Sequence, residues 1–374
     1  MKEKIWLSSP HMGTEEFRFT KEAFDTNWIA PIGPSLNAFE LEIADYLGGG
    51  VHVAALSSGT AAIHLALIDI GVGQDDIVLC SSFTFAASSN PIIYQKANPV
   101  FIDSELDSWN MDPALAEKAI LESIANGKKP KAIILVHLYG MPANIDAFIK
   151  LELKYDIPVI HDSAEAFGSS YNGKQVASYG KYNILSFNGN KIITTSGGGA
   201  LVSSDKNVID RAKFLSTQAR EPKPYYEHKE IGYNYRLSNV CAAIGRGQLM
   251  VLNDRVSQRR SNFAYYKESL DGLPGIRFLD EPNLSFSNRW LTCACFESFE
   301  VREEVRLALE ADNIESRPLW KPMHTQPVFE GALREISGVS EDLFQVGLCL
   351  PSGSNLSKED LNRVVEIIMR TVSN

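Results

Sequence analysis

Positive charge is scarce in this chain, and so are cysteines, metal-ligand clusters and long apolar runs. Its 374 residues carry 36 Lys and Arg against 46 Asp and Glu, a formal charge of −10. So acidic a protein does not spread over nucleic acid or an anionic membrane, and an anionic ligand must be met by backbone amides and a few placed cations. No apolar run approaches the roughly 20 residues of a membrane span. Met1-Lys2-Glu3-Lys4 leads into no apolar signal core. The expectation is a cytoplasmic protein without membrane insertion. Five cysteines, an odd number in mostly apolar surroundings, suit free buried thiols in a reducing compartment. Cys293-Ala294-Cys295 alternates as a strand does and lacks a second ligand pair for zinc. The seven histidines show no HExxH spacing, so no metal is expected. A Walker loop, a GxGxxG turn after a predicted strand and a fixed-period repeat are missing too, which sets aside nucleotide-loop, dinucleotide and solenoid readings.

Hydrophobic residues make up 44% of the chain, ordinary for a globular protein, and the length suits two domains. After an N-terminal arm, Leu36, Phe39, Ile43 and Leu47 recur at helical spacing, and Gly48-Gly49-Gly50 stops that helix. Seven short apolar runs follow, at 51–56, 77–80, 100–102, 132–136, 159–160, 184–187 and 200–202. Helix-like stretches at 61–70, 86–94, 113–124 and 145–155 separate the first five. This alternation predicts a largely parallel sheet covered by helices on both faces. The last two runs leave no room for a crossover helix, so they pair antiparallel. From about residue 250 the pattern changes to a long helix over 250–270, a strand near 290–296, a helix near 301–311 and a final helix after Ser357. That last helix carries Leu361, Val364, Val365 and Ile368 on one face, and Ser357 with Asp360 resembles a capping box. The fold class is α/β: a large, mostly parallel seven-stranded domain with the arm over 1–250, and a smaller α+β domain over 251–374.

Lys191 stands out against this background. It follows Ser186-Phe187-Asn188-Gly189-Asn190 and precedes Ile192-Ile193-Thr194-Thr195, with little other charge nearby. Enclosing a lysine lowers its pKa and exposes the neutral amine needed for a Schiff base. A surface lysine on a polar loop is the alternative. Ser57-Ser58-Gly59-Thr60 sits where a strand becomes a helix; free amides there suit a phosphate, or Ser57 or Ser58 is a plain N-cap. Asp162 ends the run 157–162 at the carboxyl edge of a strand, where it either pairs with a protonated ring nitrogen or caps the next turn. Glu165 is a capping residue or a second polar ligand contact. Phe83 and Phe85 are stacking aromatics or core, and Asn234 with Arg236 forms a polar, aromatic cluster before an apolar helix. A phosphate turn, a stacking ring, a pyridinium partner and a Schiff-base lysine are together what pyridoxal 5′-phosphate requires.

Segments 58–62, 82–85, 161–168, 186–191 and 232–236 resemble the DegT/DnrJ/EryC1/StrS family of nucleotide-sugar aminotransferases over nearly the whole chain. The resemblance implies the aspartate-aminotransferase fold (type I) and a homodimer with active sites shared between subunits. It implies that Lys191 is the Schiff-base lysine and Asp162 the partner of the pyridine nitrogen. Gly59, Thr60 and Ser186 would bind the phosphate, Asn234 would reach it from the other subunit, and Phe85 would stack on the ring. Glu165 stands at a position that is often glutamine, near the ring hydroxyl, and Asn188 where many relatives have histidine. Segments 188–195, 216–220, 287–290 and 317–324 are similar to one subgroup, the bacillosamine-pathway aminotransferases. That likeness implies transfer from L-glutamate to the C4 ketone of UDP-2-acetamido-4-keto-2,6-dideoxyglucose, with Arg220, Arg317, Lys321 and His324 as contacts to the nucleotide or diphosphate. Another UDP- or dTDP-linked 4-keto or 3-keto sugar is the alternative. A 3-dehydratase on the same scaffold typically carries histidine in place of the lysine, which argues against that branch. A cofactor-free binding protein and a nicotinamide oxidoreductase are the remaining rivals.

Overall fold

Aliphatic residues buried on both faces suit interior strands of a sheet covered on both sides, and each of the seven apolar runs becomes a strand of the main sheet. The computed structural model describes residues 2–373. Its main sheet has the spatial order His52–Leu56, Gly199–Ser203, Tyr182–Ser186, Val159–Asp162, Ala132–Val136, Ile77–Ser81, Asn98–Ile102 and Leu333–Glu335. Neighbours are parallel except that Gly199–Ser203 runs antiparallel to both His52–Leu56 and Tyr182–Ser186. The sheet therefore has eight strands rather than seven. The eighth, Leu333–Glu335, joins the edge parallel to Asn98–Ile102. Only three residues long and reading Leu-Arg-Glu, it carries no apolar pattern that sequence could reveal.

The crossover helices fall where the spacing predicts them. Ala86–Tyr94 and Ile145–Tyr155 match, and Pro113–Ala125 is started by Asp112, whose carboxylate accepts from the amides of Ala114 and Leu115. The long helix expected over 250–270 begins at Leu252, because Val251 (φ −110°, ψ 8°) separates it from a preceding helix, Asn239–Met250. Gly245 and Gly247 let that preceding helix lie close on Phe39 and on the backbone of Glu16. Side chains there would collide.

A second, antiparallel sheet has the order Arg277–Phe278, Thr292–Cys295, Gly347–Leu350 and Arg317–Pro318. The helices Phe299–Ala311 and Lys358–Val372 cover it, the latter with the expected capping box and with Leu361, Val364, Val365 and Ile368 buried. Ile5 of the arm bridges to Ile314 beside this sheet. All five cysteines are free, Cys241 half-buried and the rest buried. Among the described residues no helix is long and apolar enough to cross a membrane, and no His, Cys, Asp and Glu cluster could hold a metal ion.

Candidate active site

The carboxyl ends of the central strands open into a cleft of about 300 Å³, which Trp290 and Trp320 line from beside the strands of the second sheet. Ser57 follows the first strand, Asp162 ends Val159–Asp162 and Ser186 ends Tyr182–Ser186, so one sheet edge delivers all three. Ser58 is the N-cap of Gly59–Ile70, its hydroxyl accepting from the Ala61 amide at 3.0 Å. Among the described residues the amides of Gly59 and Thr60 meet no protein acceptor. They point from a helix N-terminus into the cleft, the arrangement that holds a phosphate dianion. Gly199 makes the turn possible. A Cβ at that position would overlap the backbone of Ser58 and Gly59.

Asp162 and Glu165 are nearly closed to solvent. Asp162 accepts from Ser88 Oγ at 2.7 Å and from the Ala164 amide at 3.1 Å. Burial raises its pKa; those hydrogen bonds and the charge of Lys191 oppose the rise. Glu165 accepts from the Tyr139 amide at 2.7 Å, and its Oε1 lies 3.4 Å from Lys191 Nζ. Burial raises its pKa as well, against the charge of Lys191. Lys191 is 13% exposed at its side chain and faces the cleft. An enclosed amine beside two carboxylates, one without a cation in contact, fits a ligand that brings a positive ring nitrogen and an electrophilic carbon. Pyridoxal 5′-phosphate brings both, and its phosphate matches the open amides of Gly59 and Thr60.

Aromatic rings close the cleft. Phe85 is 56% exposed and lies 5.6 Å from Trp320, centroid to centroid. Trp290 places its ring 4.1 Å from Lys191 Nζ. Tyr139 stacks between the two tryptophans, at 6.4 Å from Trp290 and 5.8 Å from Trp320, and its hydroxyl accepts from the Trp320 amide. Tyr139 holds φ +54°, a left-handed value rare for a bulky residue, so its ring is set by this surrounding structure.

Of the residues singled out from sequence, the cleft brings together Gly59, Thr60, Phe85, Asp162, Glu165, Ser186, Asn188 and Lys191. Others lie elsewhere in the single subunit. Asn234 is exposed, bridged to Thr217, while neighbouring Tyr235 takes the Ser57 amide on its carbonyl. Arg236 pairs with buried Glu40. Arg220 is exposed over Tyr226, Arg317 pairs with Glu315 at 2.8 Å, and Lys321 is exposed beside Trp320. His324 is buried, its Nδ1 2.6 Å from Ser82 Oγ and its Nε2 3.1 Å from Glu341. Ser88, Trp290 and Trp320 join the site without having been singled out. Ser88 lies one turn beyond Phe85 in the helix Ala86–Tyr94 and carries no signal of its own, and the tryptophans, although inside segments 287–290 and 317–324, reach the site only through the fold.

A sequence model of the DegT/DnrJ/EryC1/StrS aminotransferase family matches residues 10–369. A protein of Bacillus subtilis (strain 168) named as a pyridoxal phosphate-dependent aminotransferase, EpsN, is 51% identical over 99% of this chain and 96% of its own. GDP-perosamine synthase of Escherichia coli O157:H7 is 36% identical over 97% of each chain. Among solved structures, a DegT DnrJ EryC1 StrS aminotransferase from Brucella abortus superposes with a TM-score of 0.90 at 27% identity, covering 96% of both chains. The chain belongs to the DegT/DnrJ/EryC1/StrS aminotransferase family, and its cofactor is pyridoxal 5′-phosphate.

Proposed function

We propose that this aminotransferase acts on the keto group of a nucleotide sugar, moving the amino group of L-glutamate to C4 of UDP-2-acetamido-4-keto-2,6-dideoxyglucose. The observation that carries the reading is the convergence of Lys191, Asp162 and the open amides of Gly59 and Thr60 on one cleft. The bound cofactor supplies an aldehyde that condenses with amines and a ring that takes up the electron pair of a deprotonated carbon. The chain supplies the rest. Gly59, Thr60 and the Ser186 hydroxyl bind the phosphate dianion. Asp162 holds a proton on the ring nitrogen, Glu165 meets the ring hydroxyl, and Phe85 covers the ring face. Lys191 Nζ takes the proton from Cα of glutamate in the first half-reaction and delivers one to C4 of the sugar in the second. The two substrates use the site in turn.

The choice of sugar rests on the likeness of segments 188–195, 216–220, 287–290 and 317–324 to the bacillosamine subgroup. Exposed Arg220 and Lys321, which have no carboxylate within 4 Å among the described residues, are the cations offered to the diphosphate; Arg317, exposed but paired with Glu315, and His324, buried beside Glu341, complete the set that the likeness names. The exposed Tyr225, Tyr226 and Ile231 near Asn234 support a homodimer in which Asn234 reaches the partner's phosphate site. The deciding experiment incubates the purified enzyme with L-glutamate and a panel of UDP-, dTDP- and GDP-linked 4-keto and 3-keto sugars, reading 2-oxoglutarate and the amino sugar by mass spectrometry. The GDP arm answers to the relative named GDP-perosamine synthase. Amination of the UDP-linked 4-keto sugar is the expected result; a preference for another ketone replaces the substrate but keeps the chemistry. Lys191→Ala abolishes turnover and borohydride trapping of the cofactor, and full turnover in that variant overturns the mechanism.

A further inference from the structure

The carbonyl of Asn190, which belongs to the peptide entering Lys191, accepts two hydrogen bonds from distant parts of the chain. Trp290 Nε1 donates at 2.8 Å and Ser8 Oγ at 2.7 Å. Behind them sits Arg259, 1% exposed, whose guanidinium donates to the Trp290 carbonyl and, at 3.0 Å, to Ser8 Oγ. The four groups close a ring: Arg259 holds Trp290 and Ser8, and both hold Asn190. A buried guanidinium without a carboxylate partner is costly, and among the described residues its Nε finds no acceptor. Among the same residues, its hydrogen bonds go to this clasp.

Trp290 also reaches the lysine and the carboxylate beside it. Its ring lies 4.1 Å from Lys191 Nζ, a distance at which the negative face of an indole attracts an ammonium. Its amide donates to Asn288 Oδ1 at 2.8 Å, and Asn288 Nδ2 donates to the carbonyls of Glu165 and Phe167, each at 2.9 Å. The backbone of Lys191, its ammonium and the segment bearing Glu165 are thus referred to one side chain.

We infer that Trp290 is the positioning residue of Lys191, its indole N–H and the Ser8 hydroxyl fixing the Asn190 peptide while its ring face seats the amine. This rests on the reading of Lys191 as the cofactor lysine. A free lysine chain has four rotatable bonds, and anchoring it at the peptide and again at the amine leaves few orientations, which favours attack on an aldehyde held opposite.

The test uses the full-length protein freed of cofactor. The rate of covalent capture of added pyridoxal 5′-phosphate, followed by absorbance, reports the orientation of the Lys191 amine. Trp290→Phe keeps a ring face and slows capture about tenfold with the loss of the N–H donor. Trp290→Leu loses both the ring face and the donor and slows capture further, so phenylalanine rescues part of what leucine loses. Ser8→Ala slows capture in the same sense as Trp290→Phe. Parental capture in both Trp290→Phe and Ser8→Ala overturns the inference, as does capture in Trp290→Leu at or above that of Trp290→Phe. Where Trp290→Leu lacks the parental circular dichroism, the other two variants decide. Borohydride trapping in Lys191→Ala separates the two claims: cofactor still trapped there overturns the lysine assignment, whereas trapping at Lys191 with unaltered Trp290 and Ser8 variants overturns only the positioning.

Discussion

Asp162 sits at the floor of the cleft, where a serine, one amide and the field of Lys191 oppose the rise in pKa that burial imposes. Because burial raises its pKa, the folded chain binds this proton more tightly than the unfolded chain. The contribution of Asp162 to stability is therefore greatest below its unfolded pKa and declines as pH rises through the folded one. Asp162→Asn removes that penalty. We expect the cofactor-free variant to melt no lower than the parent at pH 7, to lose most of the rise in melting temperature that saturating cofactor gives the parent, and to turn over at least about 10²-fold slower. Melting curves with and without cofactor, beside steady-state rates, check all three. Asp162 and Lys191 could be singled out from sequence because Asp162 ends an apolar strand run and Lys191 follows the strand end Ser186 in a turn of small and polar residues. Trp290 was not. Its meaning depends on Asn190, Ser8 and Arg259, far apart in the chain and joined only by packing.

The helix Gly59–Ile70 and the strands beside it carry two further expectations. Ser58→Ala removes an N-cap and costs about 1 kcal/mol of stability, and it weakens cofactor affinity because the same helix start faces the phosphate. Denaturant melts and a cofactor titration measure both. Beneath Asp162, His137 Nδ1 accepts from the Ala143 amide at 3.0 Å, so its proton sits on Nε2 and is donated to His161 Nδ1 at 3.1 Å. Burial pushes His161 down to about 4 and holds His137 well below its ordinary value. Depressed histidines stabilise the fold above the unfolded pKa of about 6.5, and that stability is lost as pH falls toward 4, about 3 kcal/mol from His161 alone. Unfolding free energies at pH 7, 6 and 5 should decline accordingly, with a flatter slope in His161→Asn. Most elements were legible because burial imprints an apolar period on strands and helices. The break at Val251 and the edge strand Leu333–Glu335 leave no such imprint.

At the scale of the whole molecule, subunit sharing has a direct test. If Asn234 serves the partner's site, mixing Lys191→Ala with Asn234→Ala and allowing exchange yields heterodimers with one intact and one doubly altered site. Activity should return to about one quarter of the parental value, whereas a site completed within its own subunit gives no recovery. The edge strand Leu333–Glu335 bears on synthesis rather than catalysis. Its partner Asn98–Ile102 leaves the ribosome some 230 residues earlier. At roughly 5–20 residues per second, that hydrogen-bonding edge waits on the order of 10–50 s for its cover. During the interval Asn98–Ile102, paired on its other side with Ile77–Ser81, offers one open hydrogen-bonding edge to any neighbouring strand, an exposure that the late three-residue strand brings to an end.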